Sequence, residues 1–461
     1  MRNRRFVKAI AVVCGLSLIA AGCGDDDDNA DPEETTTTAE EGGEEEGGAL
    51  VGAKGTTPAP ETTPEVEDFQ TRMQEYADGA GIELDDTFAY GPESYDGTII
   101  IALAAQVAGD DGAAHAGEIV NVTKDGEKCT TFADCLALVE AGTDIDYDGV
   151  SGATDMSGNG EPLVGSYAVQ VYGDDNRLDP EAETFKSVQA SDEFAALENA
   201  PVEADRAGDG ILKIGTLLPE TGNLAFLGPP EIAGVQMAIE EINAAGGVNG
   251  APVELTEGDS GDTTTDTAVQ TVTRELAEGV DAIIGAASSS VSASVIDQVT
   301  GAGVTMFSPA NTSKQFSDYP DKGLYFRLGP SDILQGQVLS EVIAEDGAAS
   351  IVILNFDDDY GNGLAADLAA SFEAGGGEVL DTIVYDPQAQ TFDAEVGQAL
   401  EADADAIALI GFDETSRLLV TLVEQGLGPN DIPTYLVDGN IGNPLGERFD
   451  AGTYPSSLTE L

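Results

Sequence analysis

The sequence predicts an α/β protein built from two doubly wound lobes of parallel sheet joined by a hinge. Three observations carry this prediction. From residue 211 onward, short apolar runs alternate strictly with stretches whose apolar residues recur at helical spacing. Repeated strand–helix units of this kind produce parallel sheets covered by helices on both faces. The alternation also falls into two series, which separate near residues 328–331.

In the first series, 211–218 reads as a strand, and 229–245 as an amphipathic helix with Ile232, Val235, Ile239 and Ile242 on one face. The Gly246-Gly247 stop and the Asn249-Gly250 turn lead to a strand at 253–256 and a helix at 264–278. The second series gives helices at 333–345, 360–374, 392–401 and 414–426, with strands at 350–355, 378–385, 406–411 and 433–437 between or after them.

Residues 281–312 lie between the two series and hold the densest chemical pattern. Ala282, Ile283 and Ile284 form an apolar run that meets Gly285 and the serines 288, 289 and 290, after which Val291, Val295, Ile296 and Val299 resume helical spacing. That order predicts strand, turn and helix. A second apolar run, 304–307, ends in Ser308-Pro309-Ala310-Asn311-Thr312. Two neighbouring parallel strands then deliver hydroxyls and free amides to one sheet edge, where ligands of open α/β sheets bind. The unpaired amides and dipole of a helix N-terminus favour a carboxylate there. Taken alone, the serines serve equally well as caps.

Upstream, residues 1–22 read as a secretion signal, with Arg2, Arg4, Arg5 and Lys8 ahead of a short apolar stretch. This stretch is too short for a membrane span. Residues 24–48 are Asp, Glu, Thr and Gly, a composition that cannot order itself and reads as a tether. From residue 49 to 205 the chain turns globular, with helices expected at 66–77, 95–108 and 132–141 and a strand at 166–172. The second of these helices is nearly all apolar and should be buried. Residues 144–162 read as loop or hinge, and 199–210 as a linker. Cys129 and Cys135 are expected to pair outside the cytoplasm. A metal site is not expected, because the sole histidine is His115 and two thiols do not complete a zinc shell.

The 86 acidic residues against 18 Lys and Arg leave a formal charge of −68. Nucleic acid is excluded as a partner, since phosphate binding requires clustered cations. Self-repulsion of this size weakens the compact state and is relieved by salt, which points to a salt-rich habitat.

Residues 18–23, LIAAGC, resemble a bacterial lipobox with Cys23 as the lipidated residue. The stretches IGTLLPETGNLAFLG, AGVQMAIEEINAAGGVNG, AIIGAASSSVSAS, TMFSPANTS, YFRLGPSD, FDDDYGNGLA and YLVDGN resemble, in order and spacing, the type I periplasmic binding proteins of the branched-chain amino acid group. That resemblance implies two lobes closing on a small solute that passes to an ABC transporter permease. It also implies that Ser289, Ala310 and Thr312 hold a ligand carboxylate, that Tyr360 covers the ligand, and that Asp438 receives an ammonium group. Leu227 stands where well-known members carry tyrosine, and Phe412 falls at an aromatic wall. Without the family pattern, Tyr360 is a helix-start residue and Asp438-Gly439 a plain turn.

Residues 49–205 resemble the closing part of the same family, and Tyr90 then falls at a lining position. The implied arrangement is a circular permutation, with 49–205 contributing to both lobes, 206–328 forming most of the first lobe and 329–461 most of the second; the competing account is a fragment of one receptor fused ahead of a truncated second copy. The function expected is a monomeric, lipid-anchored extracytoplasmic receptor, without cofactor, for an amino acid of branched-chain type. Receptors for an amide, urea or an aromatic acid, and a sensor domain, are the alternatives. Hydrolysis is not expected: His115 is the only histidine available for a triad, and no G-x-S-x-G elbow surrounds the serines.

Overall fold

The computed structural model describes residues 48–84 and 88–449. The signal, Cys23, nearly all of the tether and residues 450–461 lie outside the described residues. In chain order the strands are β1 (Lys54–Pro58), β2 (Glu127–Cys129), β3 (Ile145–Tyr147), β4 (Val164–Val171), β5 (Thr184–Gln189), β6 (Lys213–Leu217), β7 (Glu254–Thr256), β8 (Ala282–Gly285), β9 (Thr305–Ser308), β10 (Tyr325–Arg327), β11 (Ser350–Phe356), β12 (Glu378–Tyr385), β13 (Ala406–Ile410) and β14 (Thr434–Leu436). The helices are α1 (Pro64–Ala80), α2 (Gly91–Ala108), α3 (Phe132–Glu140), α4 (Asp192–Ala195), α5 (Gly228–Ala244), α6 (Thr267–Glu278), α7 (Ser289–Gly301), α8 (Asp332–Glu345), α9 (Asp359–Ala374), α10 (Asp393–Ala402), α11 (Thr415–Glu424) and α12 (Asn443–Glu447).

Two sheets carry the architecture. The first is five-stranded and wholly parallel, in the order β10-β9-β8-β6-β7. The second has seven strands in the order β12-β11-β13-β14-β1-β4-β5. Its first five are parallel, but β4 pairs antiparallel with both β1 and β5, so the expectation of purely parallel sheets is corrected at this edge. The reason is local: β4 and β5 are a hairpin, which needs no crossover helix.

The upstream segment is built into both sheets' surroundings. β1 lies between β14 and β4, with Gly55 opposite Leu436 on one side and Gln170 on the other. Helix α2 packs along α5, where the close approach requires glycine: a Cβ on Gly234 would sit 2.3 Å from the Gly91 carbonyl oxygen. Fifteen of the α2 residues are buried, from Gly91 to Ala105: the apolar run Ile99–Ala105 accounts for its second half, while Glu93, Ser94, Asp96 and Thr98 are buried in its first. A buried ion pair joins Glu161 to Arg327 of β10 at 3.0 Å.

Residues 199–210 contain no helix or strand but are tied down along their length. Arg206 pairs with Asp281 at 2.6 Å, and the Asp111 carboxylate accepts the amides of Asp209 and Gly210. Within 144–162, read as loop, the short β3 pairs with β2, and the Cys129–Cys135 disulfide closes β2 onto α3 with Cα atoms 5.3 Å apart. Near the end of the described chain lies α12, whose Leu445 is buried. Among the described residues no helix is long and apolar enough to cross a membrane.

Candidate functional site

The site forms where the strand ends of the two sheets face each other. Ser288 caps α7, its Oγ accepting the Val291 amide at 3.4 Å, so the helix starts directly after β8. Ser289 follows in the first turn, where backbone amides have no partner within a helix. Its Oγ accepts the Ser313 amide at 3.3 Å, leaving its own proton to donate. Beyond β9, the chain is bent by Ser308, whose Oγ donates to the Ala286 carbonyl at 2.7 Å and accepts the Asn311 amide at 2.9 Å. The Asn311 side chain donates to the carbonyls of Ala286 and Ala287. These bonds fasten the loop after β9 to the loop after β8, bringing Ala310 and Thr312 beside Ser289.

The opposite wall comes from the second sheet. Asp438 follows β14 and is buried. The Tyr90 hydroxyl donates to its Oδ2 at 2.6 Å and the Tyr360 hydroxyl to its Oδ1 at 2.7 Å. Tyr360 lies in the first turn of α9, behind the cap Asp358. Tyr90 immediately precedes α2 with φ of 58°, a left-handed conformation that costs a non-glycine residue roughly 1–2 kcal/mol. Strain of this kind tends to collect at functional sites. Phe412, after β13, stacks on the Tyr360 ring at 5.3 Å between centroids.

Burial raises the Asp438 carboxyl above its ordinary range, while the two tyrosine hydroxyls hold it down. Both tyrosine hydroxyls are themselves pushed well above their usual value, first by burial and then by the Asp438 charge. Burial thus disfavours the charged form of Asp438 in the empty site, and a bound cation would favour it. The facing wall holds hydroxyls and helix amides, which suit an anion.

All eight residues singled out from the sequence, Leu227, Ser289, Ala310, Thr312, Tyr360, Phe412, Asp438 and Tyr90, line one cleft. Leu224, Ala287, Ser288 and Gly439 complete it. Leu224 was not singled out: it lies in the turn before α5, where no regular period tells which residues share a side. At the cleft, Ser290 Oγ donates to Asp358 Oδ2 at 2.7 Å and joins the start of α7 to the start of α9. His115 lies elsewhere, buried with Nε2 2.9 Å from Thr305 Oγ1.

The periplasmic binding protein family matches residues 211–457, more than half of the chain. The chain belongs to that family. Among relatives, this periplasmic binding protein is 30% identical over 234 residues to the leucine-, isoleucine-, valine-, threonine- and alanine-binding protein of Pseudomonas aeruginosa, covering 50% of this chain and 62% of that one. It is 26% identical over 239 residues to Leu/Ile/Val-binding protein homolog 7 of Brucella abortus, covering 49% of this chain and 57% of that one. The chain therefore spans about three fifths of these relatives' length. Among solved structures, it is similar to the isoleucine-bound substrate binding protein of the branched-chain amino acid transporter from Streptococcus pneumoniae (29% identity, 50% of this chain, 64% of that chain, TM-score 0.44). A leucine binding protein from Thermotoga maritima gives 25% identity, 51% and 65% coverage, and a TM-score of 0.45. The periplasmic binding protein is related to receptors rather than to enzymes, and among its described residues no group of three or more His, Cys, Asp or Glu could hold a metal ion.

Proposed function

We propose that this protein captures a free amino acid, first of the branched-chain type, outside the cytoplasm and delivers it to an ABC importer. The observation that supports this most is the pairing of opposite chemistries across one cavity. Hydroxyls and helix amides at Ser289 and Thr312 suit a carboxylate, Asp438 in its tyrosine clamp suits an ammonium, and Leu224, Leu227 and Phe412 suit an apolar side chain. A zwitterion satisfies all three together. The leucine, isoleucine and valine named for the related proteins agree with this reading.

The reading includes a membrane anchor on Cys23 and a permuted order of the family fold. Two findings support the permutation: the upstream strands β1, β4 and β5 extend the sheet of the downstream half, and the family match begins only at residue 211. Residues 49–205 then supply what normally follows β14.

Thermal denaturation of the mature protein with each amino acid, and with amides and urea, tests the ligand. A ligand at one hundred times its dissociation constant adds about 2.7 kcal/mol of stability. If no amino acid raises the transition, the zwitterion reading fails. For the anchor, Cys23→Ser should release the protein from membranes, and retention there would refute it.

A further inference from the structure

We infer that two contacts outside the ligand site, Ser290 with Asp358 and Lys314 with Asp367, latch the lobes across the cleft and set how long a captured solute stays bound; this rests on the receptor reading above. Helix α7 and the 3-10 turn Lys314–Asp318 pack with the five-stranded sheet, whereas α9 packs with the seven-stranded one. Both contacts therefore join one lobe to the other. Among the described residues, Lys314–Asp367, at 2.6 Å, is the one ion pair that does so.

The two oxygens of Asp358 have different partners. Oδ1 accepts the Gly361 amide at 2.7 Å and caps α9 within its own lobe, while Oδ2 accepts the Ser290 hydroxyl from the other. Ser290 Oγ in turn accepts the Asp359 amide at 3.3 Å. Asp367 gives Oδ1 to Lys314, and its Oδ2 is buried without a hydrogen-bond partner among the described residues, so this carboxylate depends on the ammonium facing it.

None of the four side chains lines the ligand site. Three of them are nonetheless fixed by the backbone to residues that do: Ser290 follows Ser289, Lys314 comes two after Thr312, and Asp358 two before Tyr360. A solute held between these walls brings the latch partners together, and the latch then resists reopening. Contacts made only across a closed cleft slow release and leave capture by the open form unchanged. They also act alike on every solute, since they touch none.

Stopped-flow kinetics on the mature chain with L-leucine and L-valine tests the inference. Ser290→Ala should speed release about tenfold, as the loss of a hydrogen bond to a carboxylate requires. Lys314→Gln should speed it about threefold, the pair being partly exposed. Association should stay within about twofold of the parent in both. Adding Asp367→Asn to Lys314→Gln should cost nothing more, because the two share one contact. Salt raised from about 0.1 to 1 M shortens the screening length from about 10 to 3 Å, and should bring the parent's release rate toward that of Lys314→Gln. Unchanged release in both single variants, additive effects of the Lys314 and Asp367 changes, or factors that differ between leucine and valine overturn the latch and leave the receptor reading standing. A parent chain that binds no amino acid, amide or urea overturns the receptor reading and the latch with it.

Discussion

Asp438 separates affinity from stability, because the same carboxylate serves the ligand and burdens the empty fold. Replacing it with asparagine keeps the volume and leaves an acceptor for one tyrosine hydroxyl. A hydrogen bond to a charged partner contributes about 1.5–3 kcal/mol, so leucine should bind roughly tenfold to over a hundredfold more weakly in Asp438→Asn. The ligand-free protein should move the other way. Its carboxyl is raised by burial, so the folded state holds the proton more tightly than the unfolded chain does, and stability is lost as pH rises. At neutral pH the variant removes that loss, and its Tm should exceed that of the parent. Calorimetry with leucine and with its deaminated acid, together with thermal denaturation, reads both effects. The deaminated acid should bind parent and variant alike. Unchanged leucine affinity would falsify the zwitterion reading, and a lower Tm would show that the lost tyrosine contact outweighs the buried charge.

Two further outcomes follow from the fold. Expressed alone, residues 211–461 lose β1 from beside β14 and α2 from beside α5, exposing a sheet edge and an apolar helix face. The fragment should aggregate and recover only when residues 49–205 are supplied; a soluble fragment with cooperative unfolding and ligand binding rules out the permuted reading. The second concerns pH. Burial holds Glu93 and Glu275 up at about 8, and Asp281 and Asp358 at about 6. Unfolded carboxyls titrate near 4, so the folded state binds more protons across the interval up to about pH 8 and is more stable toward its acid side. Tm at constant ionic strength should fall from pH 5.5 to 8.5, and a rise would contradict the assigned burial.

Much of this molecule was legible because its strands and helices are long and strongly patterned. β12 begins and ends where the sequence placed it, and the apolar run in α2 announced a buried helix. β1 was not read as a strand, since KGTTP is short, half polar and ends in proline. Its place depends on β14, far along the chain. β2, β3 and β10 have three residues each, too few to show a period, and unlike the equally short β7 and β14 they do not fall in the regular alternation of strands and helices. β5 went unread because most of TFKSVQ is half-buried or exposed at a sheet edge. For the site, the serine turn and the strand ends were visible in sequence, whereas the individual positions came from family resemblance. The tyrosine clamp on Asp438 was not legible, because Tyr90, Tyr360 and Asp438 meet only after both sheets form.

The central place of β1 also sets a timetable for the chain. Gly55 pairs with Leu436, a separation of roughly 380 residues, which at a synthesis rate of about 5–20 residues per second takes roughly 20–75 seconds to cross. Until then β14 is missing from between β13 and β1, so the β1-β4-β5 part of the big sheet cannot join the β12-β11-β13 part. Contacts this distant also make for slow folding. The five-stranded sheet, complete by Arg327, has no such wait, so the two sheets of one molecule close at different times.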